Sequence, residues 1–449
     1  MNIVHPCPRQ RGKTIVGTAL AAVVGLTAPA VGQFGEAAGF ADSMQPDLFS
    51  RDLVVFSEVL ELDESQRLIV EALFTDHQED FQLGLENMRN RFDEMRDDFT
   101  GNDVKRIMTL VFLPFQEWRG EKEILRQEFM ENVKVVLTEE QLERWPSLER
   151  RLLREKSLGK GRLSGERVNL LHVVRDLHLD PPLLEHLQPL LLEYELVLDQ
   201  ALRRRNELLA NSQESIIRAL REQDGALGVK VVSQQIETRI AVRDTNDRYI
   251  ELITAALPET LGLQFRAMAR ERAYPRVFRP TIEQRIFKAA EALKDLEPDV
   301  LTAVQELHQT YLGELGTINE ELLRQLRKTE PQLALDRAEA FATRLRGEAT
   351  PKKKAGRSTR MDLVWRRDLG HRYTALLDDI LTPEQAASLP GGRRVTKYTR
   401  KKTDEAMRKK VADQLRGLGA APSLEEPIGE SEGEPKARKK KRGKRSRGD

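Results

Sequence analysis

A set of leucine-led positions recurs along the chain at a fixed interval of 117 residues. Recurrence of this kind is typical of tandem copies of one supersecondary unit, and it restricts the fold more than any other feature of the sequence. The opening positions of the copies are Leu62-Asp63, Leu179-Asp180 and Leu296-Glu297. Further positions at the same interval are Leu73, Leu190 and Leu307, and His77, Tyr194 and Tyr311. We predict three units, at residues 48–157, 165–274 and 281–390.

Each unit contains two leucines that stand directly before a predicted helix start. An aromatic residue lies eight residues before the second leucine, in the pairs Phe129 and Leu137, Tyr249 and Leu257, and Tyr373 and Leu381. In the segment Leu137-Thr138-Glu139-Glu140-Gln141, Thr138 is placed to cap a helix and Gln141 to return a hydrogen bond to the cap, as in a capping box. The predicted helix-start residues are Leu62, Asp63, Gln66, Leu137, Thr138, Gln141, Leu179, Asp180, Leu381, Thr382 and Gln385.

Long amphipathic helices are predicted after the opening positions. Apolar residues advance by alternating steps of four and three, so they line one helical face that packs against another helix. The stripe of the first unit is Phe81, Leu85, Met88, Phe92, Met95 and Phe99. It has two interpretations, an adaptable client-binding groove or a buried core, and we favour the core. The sequence therefore predicts an all-α fold of three tandem helical hairpins with partly coiled-coil-like helices.

The first 32 residues have the layout of a secretory signal peptide. Three basic residues precede an apolar run of about 13 residues, and small residues offer cleavage between Ala30 and Gly32. The run is shorter than the roughly 20 residues that span a bilayer, which favours a removed signal over a retained anchor. We expect export to the periplasm or cell envelope, with no transmembrane segment afterwards. Cys7, the single cysteine, would leave with the signal.

Charge is distributed unevenly between the body of the chain and its C-terminal end. Residues 391–410 carry a net charge of +7 and residues 436–449 carry +8, so the rest of the chain is acidic. Apolar periodicity stops near Leu389, and we predict that residues 391–449 form a basic, largely disordered tail. Candidate polyanion-binding residues are Lys436, Arg438, Lys439, Lys440, Lys441, Arg442, Lys444, Arg445 and Arg447. The alternative is a solvated tail that folds back on the acidic body.

The residue pattern predicts no metal site, no cofactor and no catalytic centre. The histidines lack the i, i+3 or i, i+4 spacing that places two ligands on one helical face, and no thiolate would remain after export. Carboxylates alternate with Lys and Arg at helical spacing, which is typical of solvated faces. The sequence contains no glycine-rich turn after a predicted strand and no recognisable nucleophile, base and acid set. We predict that this protein is not an enzyme.

A leucine-threonine-x-x-glutamine motif at helix starts, about 75 residues apart within a unit, resembles the Spy/CpxP-type periplasmic proteins. The two starts are 75, 78 and 85 residues apart in the three units. The full motif stands at Leu137-Thr138-Gln141 and Leu381-Thr382-Gln385, whereas Leu257-Pro258-Glu259-Thr260 has no glutamine. The resemblance implies helical hairpins of the bacterial envelope. Such proteins act as ATP-independent chaperones, stress-signalling adaptors or metal-responsive modules.

Two functions are compatible with these features. The first is an envelope chaperone or stress adaptor that holds unfolded or partner envelope proteins on its helical surfaces. The second is a structural or scaffolding envelope protein that docks on a polyanion through the basic tail. The polyanion would be an anionic polymer, a lipid surface or a nucleic acid.

Overall fold

The computed structural model describes residues 44–95, 104–348 and 357–390. Within these ranges the chain forms α-helices joined by turns, and no β-strand occurs. The prediction of an all-α fold is therefore confirmed. The predicted signal peptide and basic tail lie outside the described residues. In the described ranges no helix combines the length and the apolar character needed to cross a membrane.

Two long helices pack along each other in each third of the described chain. The first third contains α1 (Asp52–Leu60), α2 (Glu64–Met95), α3 (Val104–Val135), α4 (Glu139–Glu143) and α5 (Trp145–Leu158). The middle third contains α6 (Leu170–Arg175), α7 (Pro181–Arg221), α8 (Gly225–Ala256), α9 (Glu259–Ala273) and α10 (Pro275–Phe278). The last third contains α11 (Ile282–Glu291), α12 (Pro298–Leu345), α13 (Arg357–Ile380) and α14 (Pro383–Ser388). The packed long pairs are α2 with α3, α7 with α8, and α12 with α13.

The chain divides into two compact parts, one that ends at Leu381 and one that begins at Thr382 and includes α14. Within the first part, the α2–α3 pair encloses two apolar clusters. One cluster also draws on α1 and α5 and contains Phe56, Leu60, Phe129, Trp145 and Leu148. The other lies further along α2, where three stripe residues pack around Trp118, namely Phe81, Leu85 and Met88.

The structure decides between the two interpretations of the first apolar stripe. Phe81, Leu85 and Met88 are almost fully buried, so they belong to the core and do not line an open groove. The core interpretation is confirmed for these three residues. The side chains of Phe92 and Met95, and Phe99 as a whole, lie outside the described part of the chain.

The largest apolar cluster draws on more than one helix pair. α7 and α8 contribute buried residues from both sides of their contact, and Leu158 joins them from α5. α12 adds Leu322 and Leu326. With 48 residues, α12 is about 72 Å long. The first part of α12 packs against α13, and a later part of α12 packs against α8.

The far end of α12 reaches the turn between α7 and α8. Phe341 packs there with Ile216 and Val231. Gly225, the first residue of α8, lies so close to α12 that an added Cβ would be 2.6 Å from the Cβ of Ala342. Only glycine permits this approach without displacement of a helix. The middle and last thirds of the chain are therefore joined along much of the length of α8.

Candidate functional site

The helix-start residues of the first third form two capping arrangements. At the start of α2, the backbone N–H of Gln66 donates to Asp63 Oδ1 (2.8 Å) and the N–H of Asp63 donates to Gln66 Oε1 (3.1 Å). At the start of α4, the N–H of Gln141 donates to Thr138 Oγ1 (3.3 Å) and the N–H of Thr138 donates to Gln141 Oε1 (3.0 Å). Both are reciprocal bonds of the capping-box type, which satisfy otherwise unpaired N–H groups of the first turn.

The two capping glutamines, 75 residues apart in sequence, also bind each other. Gln66 Nε2 donates to Gln141 Oε1 (2.8 Å), and Gln141 Nε2 donates to Gln66 Oε1 (2.9 Å). The second proton of each amide reaches a backbone carbonyl two residues before the opposite cap. Gln66 donates to Val136 O (2.9 Å) and Gln141 to Glu61 O (3.4 Å). The two helix starts are thus joined by a nearly symmetric pair of side-chain amides.

Because of this amide pair, loss of the Gln66 side chain should lower stability more than loss of an ordinary capping side chain. We expect Gln66→Ala to lower the free energy of unfolding by about 1–3 kcal/mol, because partly buried partners on two segments lose their bonds. In a double-mutant cycle with Gln141→Ala, we expect a coupling of at least about 0.5 kcal/mol. Urea unfolding followed by circular dichroism measures both. Gln284→Ala is the matched control.

The control removes a capping glutamine that has no such partner. Among the described residues, Gln284 binds only its own cap, Thr281, across the start of α11. We expect its loss to cost about 0.5–1 kcal/mol. If the effects of Gln66→Ala and Gln141→Ala on the free energy of unfolding are additive, the amide pair does not stabilise the contact between the two helix starts.

The other predicted helix-start residues cap their own helices. Asp180 accepts from the N–H of Leu183 (3.1 Å) at the start of α7, without a glutamine to answer it. Thr382 and Gln385 form a capping box at the start of α14. Among the leucines, Leu62 and Leu381 are buried, whereas Leu137 and Leu179 are partly buried. The capping box of Thr281 and Gln284 is not among the predicted helix starts, although Thr281-Ile282-Glu283-Gln284 has the same threonine-to-glutamine spacing.

Aromatic positions that match across the repeat contact each other in every third of the chain. The ring centroids are 5.3 Å apart for His77 and Phe129, 5.2 Å for Tyr194 and Tyr249, and 5.4 Å for Tyr311 and Tyr373. In each case one ring comes from the first long helix of a pair and the other from the second. The repeat places these residues at matching positions in the three units, and only the folded chain shows the contact between the rings.

Histidine at the first of these positions adds a pH-sensitive group to the core. Burial lowers the pKa of His77, although a hydrogen bond with the backbone of Leu125 opposes this effect. The folded state therefore favours the neutral imidazole, while the unfolded chain takes up a proton near the ordinary pKa of about 6.5. His77 thus gives its full stabilisation above about pH 6.5, and the stabilisation decreases as the pH falls below that value.

We expect His77→Phe to flatten the dependence of stability on pH below about pH 6.5. Phenylalanine keeps the ring that packs on Phe129 but has no proton to gain on unfolding. One proton contributes at most about 1.4 kcal/mol per pH unit to the slope. The measurement is a series of urea unfolding curves from pH 7.5 to 5, run on wild type and variant. Identical slopes would show that His77 does not titrate with unfolding.

A buried carboxylate occupies the segment between α5 and α6, where the first and second predicted units meet. Glu166 is 0% exposed. Its Oε1 accepts from Arg205 (2.6 Å) and Arg239 (3.3 Å), and its Oε2 accepts from the backbone N–H groups of Arg162 (2.6 Å) and Leu163 (3.1 Å). Arg205 is also 0% exposed and donates to Ser157 O (2.6 Å) at the end of α5. The carboxylate is therefore fully satisfied by donors from three segments.

The same segment extends the connection to α12. Both the N–H and the hydroxyl of Ser164 donate to Glu330 (2.8 Å each), and Asn246 donates to Gly165 O (2.8 Å). Gly165 has φ = +87°, and an added Cβ would overlap the hydroxyl of Tyr274. A side chain at this position is excluded both by backbone conformation and by space. The segment therefore binds α5, α8 and α12 together, and we call it the junction segment (159–169).

An exposed face of α2 carries apolar residues and carboxylates together. Leu68, Ile69 and Leu83 are 63%, 44% and 59% exposed. At 3.6 residues per turn they lie within about 100° of arc and span about 22 Å along the helix. Exposed carboxylates in the same region are Asp76, Glu79 and Glu86, and none of these three forms an ion pair with a described residue. We call this surface the α2 face.

The described residues contain no group of three or more His, Cys, Asp or Glu side chains that could hold a metal ion. The candidate polyanion-binding residues between Lys436 and Arg447 lie outside the described part of the chain. Protein-family models, curated proteins and solved structures give no significant match to this chain.

Proposed function

We propose that this protein is an exported, helical protein-binding module of the cell envelope, with a chaperone-like or stress-adaptor role. We further propose that its three helix pairs are tandem hairpin units of the Spy/CpxP type. The paired helix starts and the three matched ring contacts support a common unit. Export to the periplasm or envelope is proposed from the N-terminal pattern of residues 1–32.

The α2 face is the observation that carries the binding proposal. Large exposed apolar side chains offer contact area to an unfolded segment, since burying them is favourable by roughly 25 cal/mol per Å². The neighbouring carboxylates form no ion pair with a described residue, so we propose that they bind Lys and Arg of a client. A similar row of exposed leucines lies on α7, at Leu184, Leu192 and Leu196. The client class is therefore an unfolded or partly folded protein with apolar and basic side chains.

An aggregation assay tests this function. We expect the protein to slow aggregation of a chemically unfolded client at equimolar ratio. The variant Leu68→Ser/Ile69→Ser/Leu83→Ser should lose most of this effect, because only the apolar part of the α2 face is removed. The matched control replaces exposed polar residues of the same helix, Glu71→Ser/Gln82→Ser/Asn87→Ser, and should behave as wild type. Equal protection by both variants would remove the α2 face from the proposal.

Docking on a polyanion through residues 391–449 is the second candidate function. The observation that favours it is charge. Residues 44–390 contain 51 Lys/Arg and 61 Asp/Glu, a net charge of −10, whereas residues 391–449 carry +10. A basic segment of this density binds polyanions in a strongly salt-dependent manner. Truncation after Pro390 should abolish salt-sensitive binding to a polyanion such as heparin, and equal binding by the truncated chain would exclude this function.

A further inference from the structure

Four arginines line one depression beside the turn that leads from α10 to α11. The depression is open to solvent, has a volume of about 360 Å³ and is also bordered by the first residue of α10 and the cap of α11. Its lining residues are Pro275, Arg276, Arg279, Pro280, Thr281, Glu283, Arg366 and Arg367. Four guanidinium groups against one carboxylate give the lining a formal charge of +3.

Many arginines in the described helices form ion pairs with nearby carboxylates, whereas the four in the depression form none with a described residue. Arg276, Arg279 and Arg367 are exposed, and none forms an ion pair with a described residue. Glu283 forms no ion pair with these three residues, and its carboxyl group lies beside Gly370 of α13. A Cβ added at Gly370 would be 2.6 Å from Glu283 Cδ. The depression therefore concentrates positive charge in an otherwise acidic body.

The fourth arginine holds the depression in shape. Arg366 Nη1 donates to Arg276 O (3.1 Å) and Nη2 donates to Arg279 O (3.0 Å), which fixes the turn against α13. The Nε of Arg366 is buried and has no hydrogen-bond partner. Thr281, the cap of α11, also lines the depression, so the positive end of this helix dipole adds to the field there.

We propose that this depression binds a phosphate group. Guanidinium forks match the geometry of phosphate oxygens, and several unpaired arginines balance a multiply charged anion better than a single carboxylate. The volume accommodates pyrophosphate or a larger phosphate ester. This site shares no residue with the α2 face or with residues 391–449, and it does not depend on either proposed function.

Isothermal titration of the full chain with inorganic pyrophosphate tests the proposal. Arg276→Ala/Arg367→Ala removes two exposed donors, and we expect its Kd to be about tenfold or more weaker than that of wild type. The matched control, Arg89→Ala/Arg204→Ala, removes two exposed arginines elsewhere that form no ion pair with a described residue, and it should bind like wild type. Because both variants keep the tail, binding by the tail affects them equally.

A second arm identifies the source of the phosphate. The same proteins are mixed with vesicles of phosphatidylglycerol or of phosphatidylcholine, and bound protein is measured by sedimentation. Pyrophosphate binding that requires Arg276 and Arg367 supports a soluble phosphate compound. Binding only to phosphatidylglycerol, with the same requirement, supports a lipid headgroup. If neither probe distinguishes the Arg276→Ala/Arg367→Ala variant from the control, the proposal is overturned.

Discussion

Replacement of Glu166 by alanine is expected to lower the free energy of unfolding by about 3–5 kcal/mol. Removal of one partner of a buried ion pair leaves the other charges without compensation in a medium that solvates them poorly. Here the loss leaves Arg205 and Arg239 without their only carboxylate among the described residues, and it removes the acceptor of two backbone N–H groups. Equilibrium unfolding in urea measures the change.

Two further variants show whether the charge or the contact is responsible. Glu166→Gln keeps the size of the side chain and one acceptor oxygen, so its cost should be smaller than that of Glu166→Ala. The control is Glu237→Ala, which removes an exposed carboxylate of α8 and should change the stability by less than about 0.5 kcal/mol. A cost for Glu166→Ala as small as that of the control would show that the junction segment does not hold the helices together.

Tyr194→Ala is expected to have a comparable effect, about 3–5 kcal/mol, because it removes a large ring from the centre of the largest core. Tyr194 is fully buried, packs on Tyr249 and donates to Asn246 Oδ1 (2.9 Å). Burial raises the pKa of its hydroxyl, so the group stays protonated and continues to donate. The same urea experiment measures the loss.

The contributions of the ring and the hydroxyl can be separated. Tyr194→Phe keeps the ring and should cost about 1–2 kcal/mol, since Asn246 loses a donor in a buried site. Leu192→Ala, on the same helix but at a side chain that is 47% exposed, is the control and should cost less than about 1 kcal/mol. A large effect of Leu192→Ala and a small one of Tyr194→Ala would reverse the assignment of the inner and outer faces of α7.

Local sequence was sufficient to locate the leucine-led helix starts and the inner faces of the helices. Thr138 and Gln141 are three residues apart, and a capping box needs no other part of the chain. In the second unit, Tyr194, Leu198 and Leu202 follow each other at steps of four, and they are buried because helical spacing places them on one face. By contrast, Glu297 precedes α12 without a side-chain capping bond, as its poor capping propensity predicts.

The contacts of the junction segment are not specified by local sequence. Arg205 follows Leu198 and Leu202 at steps of four and three, so the pattern placed a charged residue on the buried stripe. This irregularity predicts a buried counter-charge but does not identify it. Glu166 is 39 residues away from Arg205 and 73 from Arg239, and only the folded chain shows that these three residues meet.

The repeat, by itself, determined the number of leucine-led helix starts, their spacing and the all-α character of the chain, because these depend on hydrogen bonds and apolar positions within a few residues. The tertiary structure decided how the starts are used. It pairs Gln66 with Gln141, joins matched rings across helix pairs and extends α12 along α8 into a shared core. Each of these contacts links residues far apart in sequence, and their positions depend on packing between helices.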